Sequence, residues 1–322
     1  MNNILYLVLP CYNEEAVLNE TASQLLAIMT AMMERGMISN KSKIMFINDG
    51  SKDHTWEIIE SLHKQNPIFS GVCLSRNKGH QNALLAGLMT AKEYADITIS
   101  LDADLQDDIN IIEKMIVKYQ QGNEIVYGVR SARKKDTLFK KTTAKCFYKF
   151  MKLLGVDIVF NHADYRLMSK TALKALSQFE EVNLFLRGIV PLIGFQSTTV
   201  EYERNKRFAG QSKYPLSKML AFAFDGITSF SIKPIRMITS LGVLIFLISL
   251  IALIVFLILK YTGFTVGGWT SIVASIWMIG GIQLLSLGII GEYIGKIYNE
   301  TKRRPRYIIS KMILQKEDQT II

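Results

Sequence analysis

The chain has 322 residues, of which 49% are hydrophobic and 20% charged, with a formal net charge of +10. That apolar content excludes a disordered chain, and 21 Gly with 6 Pro exclude collagen-like and Pro-rich classes. Three scattered cysteines (Cys11, Cys73, Cys146) lack ligand spacing, so they read as small hydrophobes, without a disulfide framework or zinc site.

The N-terminus leads straight into the apolar run Ile4–Leu9, with no basic segment or cleavage site before it, and reads as a buried strand rather than a signal peptide. Further short apolar runs follow at Ile44–Ile47, Phe69–Leu74, Ile97–Leu101 and Ile125–Val129. Helical patterns lie between them, at about Ala16–Glu34, Thr55–Gln65, Gln81–Tyr94 and Ile109–Gln121. Continuous apolar strands alternating with helices predict an α/β domain with a mostly parallel, Rossmann-like sheet. Ligands of such sheets gather at the carboxyl ends of the strands.

Each strand is followed there by polar groups. The first gives Pro10-Cys11-Tyr12-Asn13-Glu14, the second Asn48-Asp49-Gly50-Ser51-Lys52-Asp53, and the third Ser75-Arg76-Asn77-Lys78-Gly79-His80. Tyr12 can pack on a nucleobase, Glu14 can accept from a sugar, and Asp49 can accept from a base N–H or serve merely as a turn residue. His80 reads as structural. No G-x-G-x-x-G follows any strand, which disfavours a dinucleotide site, and a P-loop is absent.

The fourth strand runs into Asp102-Ala103-Asp104-Leu105-Gln106-Asp107-Asp108. If the extended conformation continues, the Asp102 and Asp104 carboxylates face the same way and Gln106 adds an amide oxygen in register. Hard oxygens of this kind suit Mg2+ or Mn2+, which neutralise a departing diphosphate. The alternative use of such acids is helix capping, a role that falls to Asp107 or Asp108.

The fifth strand ends at Arg130, opening a tract with nine Lys/Arg and one acid up to Lys152. Arg204, Lys206 and Arg207 then precede Gly210-Gln211-Ser212-Lys213-Tyr214, a loop suited to holding phosphate at a headgroup plane. Residues 214–236 are apolar but interrupted; they suit an amphipathic helix lying in the interface, or else a core helix.

Met237–Leu259 and Trp269–Gly291 are each 23 residues without a charge. Each would extend about 34 Å as a helix, enough to span a bilayer. Lys233 and Arg236 precede the first, and Lys296, Lys302, Arg303, Arg304 and Arg306 follow the second, so both ends are expected on the cytoplasmic side of a multi-pass protein. The implied organisation is a cytosolic domain 1–213, interfacial helices 214–236, two spans within 237–295, and a basic tail 296–322. Removal of everything after about Arg236 is then expected to weaken use of a membrane substrate and spare that of a soluble one.

Together these motifs, with Asp164-Tyr165-Arg166-Leu167 and Arg207-Phe208-Ala209-Gly210-Gln211-Ser212-Lys213-Tyr214, resemble the family 2 glycosyltransferases of GT-A fold. Within that family the chain is similar to dolichyl-phosphate mannose synthases and, more so, to bacterial polyprenyl-phosphate (bactoprenol) glucosyltransferases. Two C-terminal spans followed by Gly291-Glu292-Tyr293-Ile294-Gly295 and Lys302-Arg303-Arg304-Pro305-Arg306-Tyr307 fit the bacterial type. The resemblance implies that Pro10, Tyr12, Glu14 and Asp49 hold the nucleoside of a UDP-sugar. It places Asp102 near ribose and metal, and Asp104 and Gln106 on the metal. Arg130, Arg207, Ser212 and Lys213 would meet phosphates of donor or acceptor, and Asp164 would lie near the reacting centre. Lys141 is a looser match on the acceptor side.

The resemblance further implies inverting transfer of a hexose to undecaprenyl phosphate at the bacterial plasma membrane, with a homotetramer as the assembly. Glucose is the expected sugar, with N-acetylglucosamine and galactose open. A processive polysaccharide synthase is disfavoured because Gln-x-x-Arg-Trp is absent. A non-catalytic membrane scaffold is disfavoured by the intact acidic series, and nucleic-acid binding by the lack of a recognition module.

Overall fold

The computed structural model describes residues 2–131, 162–203, 233–261 and 268–314. The alternation read from the sequence is present: β1 (Leu5–Cys11), α1 (Leu18–Glu34), β2 (Lys43–Asn48), α2 (Thr55–Gln65), β3 (Phe69–Leu74), α3 (His80–Tyr94), β4 (Ile97–Ser100), α4 (Ile111–Gln120) and β5 (Ile125–Arg130). Beyond these come β6 (His162–Ser169), α5 (Lys170–Leu176), α6 (Leu186–Leu192), β7 (Ser197–Tyr202), the long helices α7 (Lys233–Tyr261) and α8 (Trp269–Lys302), and β8 (Ile309–Ile313).

One eight-stranded sheet runs in the order β7-β5-β6-β4-β1-β2-β3-β8. The β1–β2, β1–β4, β2–β3 and β5–β7 pairs are parallel, while β6 and β8 run against their neighbours. Strand alternation gives the sheet two apolar faces. Leu5, Leu7 and Leu9 enter a core with Leu18, Leu25 and Met29 of α1, Ile59 of α2 and Ile112 and Met115 of α4. Val8 points the other way, towards α3.

There Gly87 lets the helix approach closely, since a Cβ at this position would stand 2.5 Å from Val8 Cγ1 and 2.6 Å from Ile47 Cγ1. Gly87→Ala is therefore expected to lower stability by about 1–3 kcal/mol through overpacking, read as a lower midpoint in thermal or denaturant unfolding.

Pro10 sits in a central strand, where the missing N–H normally breaks a ladder. Here β1 pairs with β4 only as far as Val8, opposite Ser100, and Val8 O accepts from Leu101 N at 3.2 Å. Pro10 shares the parity of Val8, so its missing donor falls on the side where β4 has already left. The proline marks the rim.

The antiparallel β6 has a consequence for function. Ser100 stands opposite Arg166, so the beginning of β6 reaches the rim where β4 ends. Asp164 thereby arrives beside the acidic run although it lies some sixty residues downstream.

Contacts divide the chain into two units. The first comprises residues 2–131, 162–203 and 304–314 of the described chain, and the second 233–261 and 268–303. In the second unit both apolar stretches are helical, and Met278–Lys302 is long and apolar enough to cross a membrane by length and composition. In the first, the stretch read as a basic tail supplies β8, which pairs with β3; Ser310 Oγ donates to Cys73 O at 3.0 Å, and Ile308 O accepts from Ser75 N at 2.9 Å. A truncation after Arg236 is consequently not selective for the apolar helices, because it also strips an edge strand from the eight-stranded sheet.

Candidate active site

The loops after β1 and β2 are held together by side chains bonding to backbone. Asn13 adopts φ +54°, a left-handed conformation that asparagine tolerates. Its Oδ1 accepts from Lys52 N at 2.9 Å, and its own N–H donates to Ser51 Oγ at 3.0 Å. Glu14 N donates to Thr55 Oγ1 at 3.0 Å. This fixes the rim from which Tyr12, 36% exposed, projects its ring.

Asp49 is buried, and its two oxygens accept from Lys78 N at 2.7 Å and Gly79 N at 2.9 Å. The protein packed around it raises its carboxyl pKa, while those two N–H bonds and the nearby His80 oppose the rise. Asp49 thus ties the loop after β3 to the loop after β2. Asn48 adds to this, donating to Cys73 Sγ at 3.2 Å and accepting from Ser51 N at 3.1 Å.

The acidic run departs from the extended conformation expected of it. β4 stops at Ser100, and Leu105 takes φ +55°. Asp104 Oδ1 accepts from Gln106 N at 3.2 Å, a local bond that competes with strand pairing. Asp102 and Asp104 are therefore presented by a turn, not by period-two alternation, and Gln106 is buried.

The expected helix cap is corrected as well. The residue at the start of α4 is Asn110, without a side-chain cap bond, and Asp108 Oδ1 accepts from Asn110 N at 3.0 Å just ahead of it. Asp107 instead turns inward, 2% exposed, where Oδ1 accepts from Tyr202 OH at 2.5 Å and from Arg130 Nη2 at 3.2 Å. Arg130 Nε also donates to Tyr202 OH at 3.1 Å. β7 lies beside β5 in parallel, with Arg130 opposite Tyr202, which is how the two ends meet. Asp107 Oδ2 is buried without a partner among the described residues. Tyr202→Phe leaves this carboxylate with Arg130, and is expected to cost about 1–3 kcal/mol, seen as a reduced unfolding free energy in denaturant.

Asp164 is the hub of the site, with its side chain 11% exposed. Arg166 Nη2 donates to Oδ1 at 2.6 Å; Arg187 donates from Nε to Oδ1 at 3.3 Å and from Nη2 to Oδ2 at 3.1 Å. His80 Nε2 stands 3.5 Å from Asp164 Oδ2 and 3.7 Å from Asp102 Oδ1. Burial alone would raise the Asp164 carboxyl, but Arg187, His80 and Arg166 together hold it well below 3.8. Burial likewise pulls His80 down, and the Asp164 bond with the charges of Asp102 and Asp164 overcomes it, bringing the imidazole up to about 9. For Asp102 the surrounding protein raises the carboxyl pKa, assisted by Asp107, Asp164 and Asp104 and opposed by His80.

The structure therefore gathers Asp102, Asp104, Asp164 and Arg130 at the ends of β4, β5 and β6, and Pro10, Tyr12, Glu14 and Asp49 at those of β1 and β2. Arg207, Ser212, Lys213 and Lys141 lie outside the described residues, as does most of the proposed interfacial helix. No group of three His, Cys, Asp or Glu among the described residues has a metal-holding arrangement. Sequence reasoning missed three members. His80 read as structural, yet it bridges two carboxylates. Arg166, 1% exposed, and Arg187 are lone charges within apolar surroundings (Tyr165-Arg166-Leu167 and Leu186-Arg187-Gly188), and that incongruity is the signal that marks them.

The model of the family described as Glycosyl transferase family 2 matches residues 6–177. An uncharacterized glycosyltransferase, YkoT, of Bacillus subtilis is 54% identical, over 95% of this chain and 91% of the relative. The bactoprenol glucosyl transferase of Shigella phage SfX is 39% identical over 94% of this chain and 97% of its own length. Among solved structures, mannosyl-3-phosphoglycerate synthase from Rubrobacter xylanophilus matches with a TM-score of 0.47 at 14% identity, covering 69% of this chain and 71% of that one. With its fold, its acidic rim and relatives of this identity along nearly all its length, the chain belongs to glycosyl transferase family 2 and is a glycosyltransferase.

Proposed function

We propose that the enzyme transfers glucose from UDP-glucose to a polyprenyl phosphate, undecaprenyl phosphate, with inversion at the sugar C1. The observation that carries the choice of acceptor is the state of Asp164. A carboxylate bonded by two guanidiniums and held well below its usual pKa is a poor proton acceptor. Transfer to an alcohol is assisted by a general base at the reacting centre, a role for which Asp164 is unfit. A phosphate monoester needs no such base, because its second pKa is near 6 and it is largely dianionic at pH 7. The relatives named bactoprenol glucosyl transferases support the same class.

In this reading Tyr12 and Glu14 meet the base and sugar of the nucleotide, and Asp49 keeps the floor of that site in place. Pro10 shapes the strand end beneath them. Asp102 and Asp104 would hold Mg2+ or Mn2+, with Gln106 supporting their turn. The donor set fits such an ion: two hard carboxylates stand at the rim, and the protein packed around Asp102 first and its neighbouring acids second raise its pKa, a condition that a bound cation would relieve. When bound, the cation supplies charge neutralisation for the departing diphosphate. The protein's own contribution is to bring two anions into line. Arg130, Arg207, Ser212 and Lys213 are assigned to phosphates, and Asp164 orients cations without taking a proton.

The two apolar stretches 237–259 and 269–291 are read as membrane spans, with the catalytic unit and both ends on the cytoplasmic side, so that a lipid phosphate is met at the headgroup plane. Asp104→Asn tests the metal assignment: transfer from UDP-glucose to undecaprenyl phosphate at low Mg2+ is expected to fall at least about tenfold. Unimpaired transfer overturns it.

A further inference from the structure

A buried carboxylate needs one well-placed counter-ion, and Asp164 has that in Arg166. The Arg166 side chain is 1% exposed, bonds Asp164 Oδ1 at 2.6 Å and donates from Nη1 to Leu186 O at 3.3 Å, so it is locked beneath the carboxylate. The second guanidinium is therefore not explained by neutralising Asp164. Arg187 takes both oxygens in a side-on fork, from Nε at 3.3 Å and Nη2 at 3.1 Å, which fixes the plane of its guanidinium. Unlike Arg166, 34% of its side chain is exposed. A planar cation held rigid at the rim, beside the acids assigned to the reacting centre, is built to meet another planar or tetrahedral anion.

We propose that Arg187 binds phosphoryl oxygens of the reacting anions, with Asp164 acting as the positioning residue that aims it. This rests on the glycosyl-transfer reading given above. Phosphate oxygens at the site come from two sources, the diphosphate of the donor and the monoester of the lipid acceptor, and the two are chemically alike to a guanidinium. Arg187 is carried by α6, downstream of β6, rather than by a strand end of the half assigned to the nucleotide.

The test uses the full-length protein in detergent, as wild type, Arg187→Gln and Arg187→Lys. Turnover is followed against undecaprenyl phosphate concentration with UDP-glucose in excess, and UDP binding in Mn2+ is measured by calorimetry. Arg187→Gln is expected to lose about tenfold or more, the scale of one charge-assisted hydrogen bond, while its thermal midpoint stays close to that of the wild type. A raised KM for the lipid with UDP affinity unchanged assigns the acceptor phosphate; weakened UDP binding assigns the donor. Arg187→Lys retains the charge without the fork and is expected to recover only part of the loss; it replaces the glutamine variant in every comparison should that one fail to fold.

Turnover, KM and UDP affinity all within twofold of wild type in a folded variant overturn the proposal. So does a loss of turnover that tracks a loss of stability with both KM and UDP affinity intact. If the wild type itself transfers no glucose to undecaprenyl phosphate, the functional reading falls instead. Titration of UDP and of inorganic phosphate then decides Arg187 alone, equal affinities in wild type and variant ruling it out.

Discussion

Asp164→Asn is expected to remove nearly all transfer, by a factor of at least about a hundred, and to weaken the fold at the same time. The amide matches the carboxylate in shape, so the change isolates charge. Arg166 is fully buried, and without its partner it becomes an uncompensated buried cation. Breaking one side of such a pair costs about 3–5 kcal/mol. Chemical denaturation of the full-length protein beside a transfer assay separates the two effects, since a folded fraction above nine-tenths with no turnover assigns the loss to chemistry. The pH leg has a definite sign. The folded-state carboxyl lies below its ordinary value, so the unfolded chain takes up this proton first as pH falls. The contribution of Asp164 is accordingly complete above about pH 4, the ordinary carboxyl range, and is lost only in stronger acid. A wild-type stability that already declines between pH 7 and pH 5, with a decline that Asp164→Asn abolishes, contradicts this.

Gly50→Ala is the second substitution with a large expected effect. Gly50 has φ +62°, and a Cβ there would stand 2.5 Å from Arg76 C and 2.6 Å from Asn77 N. Those are backbone atoms of the loop that Asp49 grips through Lys78 and Gly79, so neither side can yield without releasing the other. UDP affinity is expected to drop by about tenfold or more, with a stability loss of about 1–3 kcal/mol. Gly79 provides the control. It also has positive φ, +87°, but nothing lies within 4 Å of its would-be Cβ. Gly79→Ala thus meets only the conformational penalty of its extended positive-φ backbone, ψ 154°, about 1–3 kcal/mol, and should bind UDP better than Gly50→Ala does. Equal affinities for the two variants would show that the close approach at Gly50 is irrelevant to the nucleotide site.

The half of the sheet built on β1 to β3 was legible because its pattern is local. Apolar runs such as Ile4–Leu9 and Ile44–Ile47 are buried on both faces, so hydropathy alone marks β1 and β2, and the polar groups after them fall on one rim by construction. The acidic run was legible in composition and misread in conformation, because Leu105 at positive φ and the Asp104–Gln106 bond override the strand pattern. Asp107 shows the limit of reading caps from sequence: an acid ahead of a helix is a capping candidate, and only the arrival of Tyr202 and Arg130 reveals a buried ion pair. β6 escaped notice for a related reason. Its segment Asp164-Tyr165-Arg166-Leu167 alternates charge with apolar residues, which suggests a solvated face, whereas Asp164 and Arg166 neutralise each other inside. Nothing in the spacing of Arg187 from Asp164 announces that they meet.

The returning strand β8 has a bearing on biosynthesis. Ser310 bonds a residue 237 positions earlier in the chain, Cys73. A ribosome makes the N-terminal half first, so the open flank of β3 waits through translation of both long apolar helices before its partner emerges. An unsealed strand of that kind is a template for wrong pairing between nascent chains. Completion of the sheet therefore follows synthesis of both helices, and a polypeptide interrupted within them should be prone to self-association.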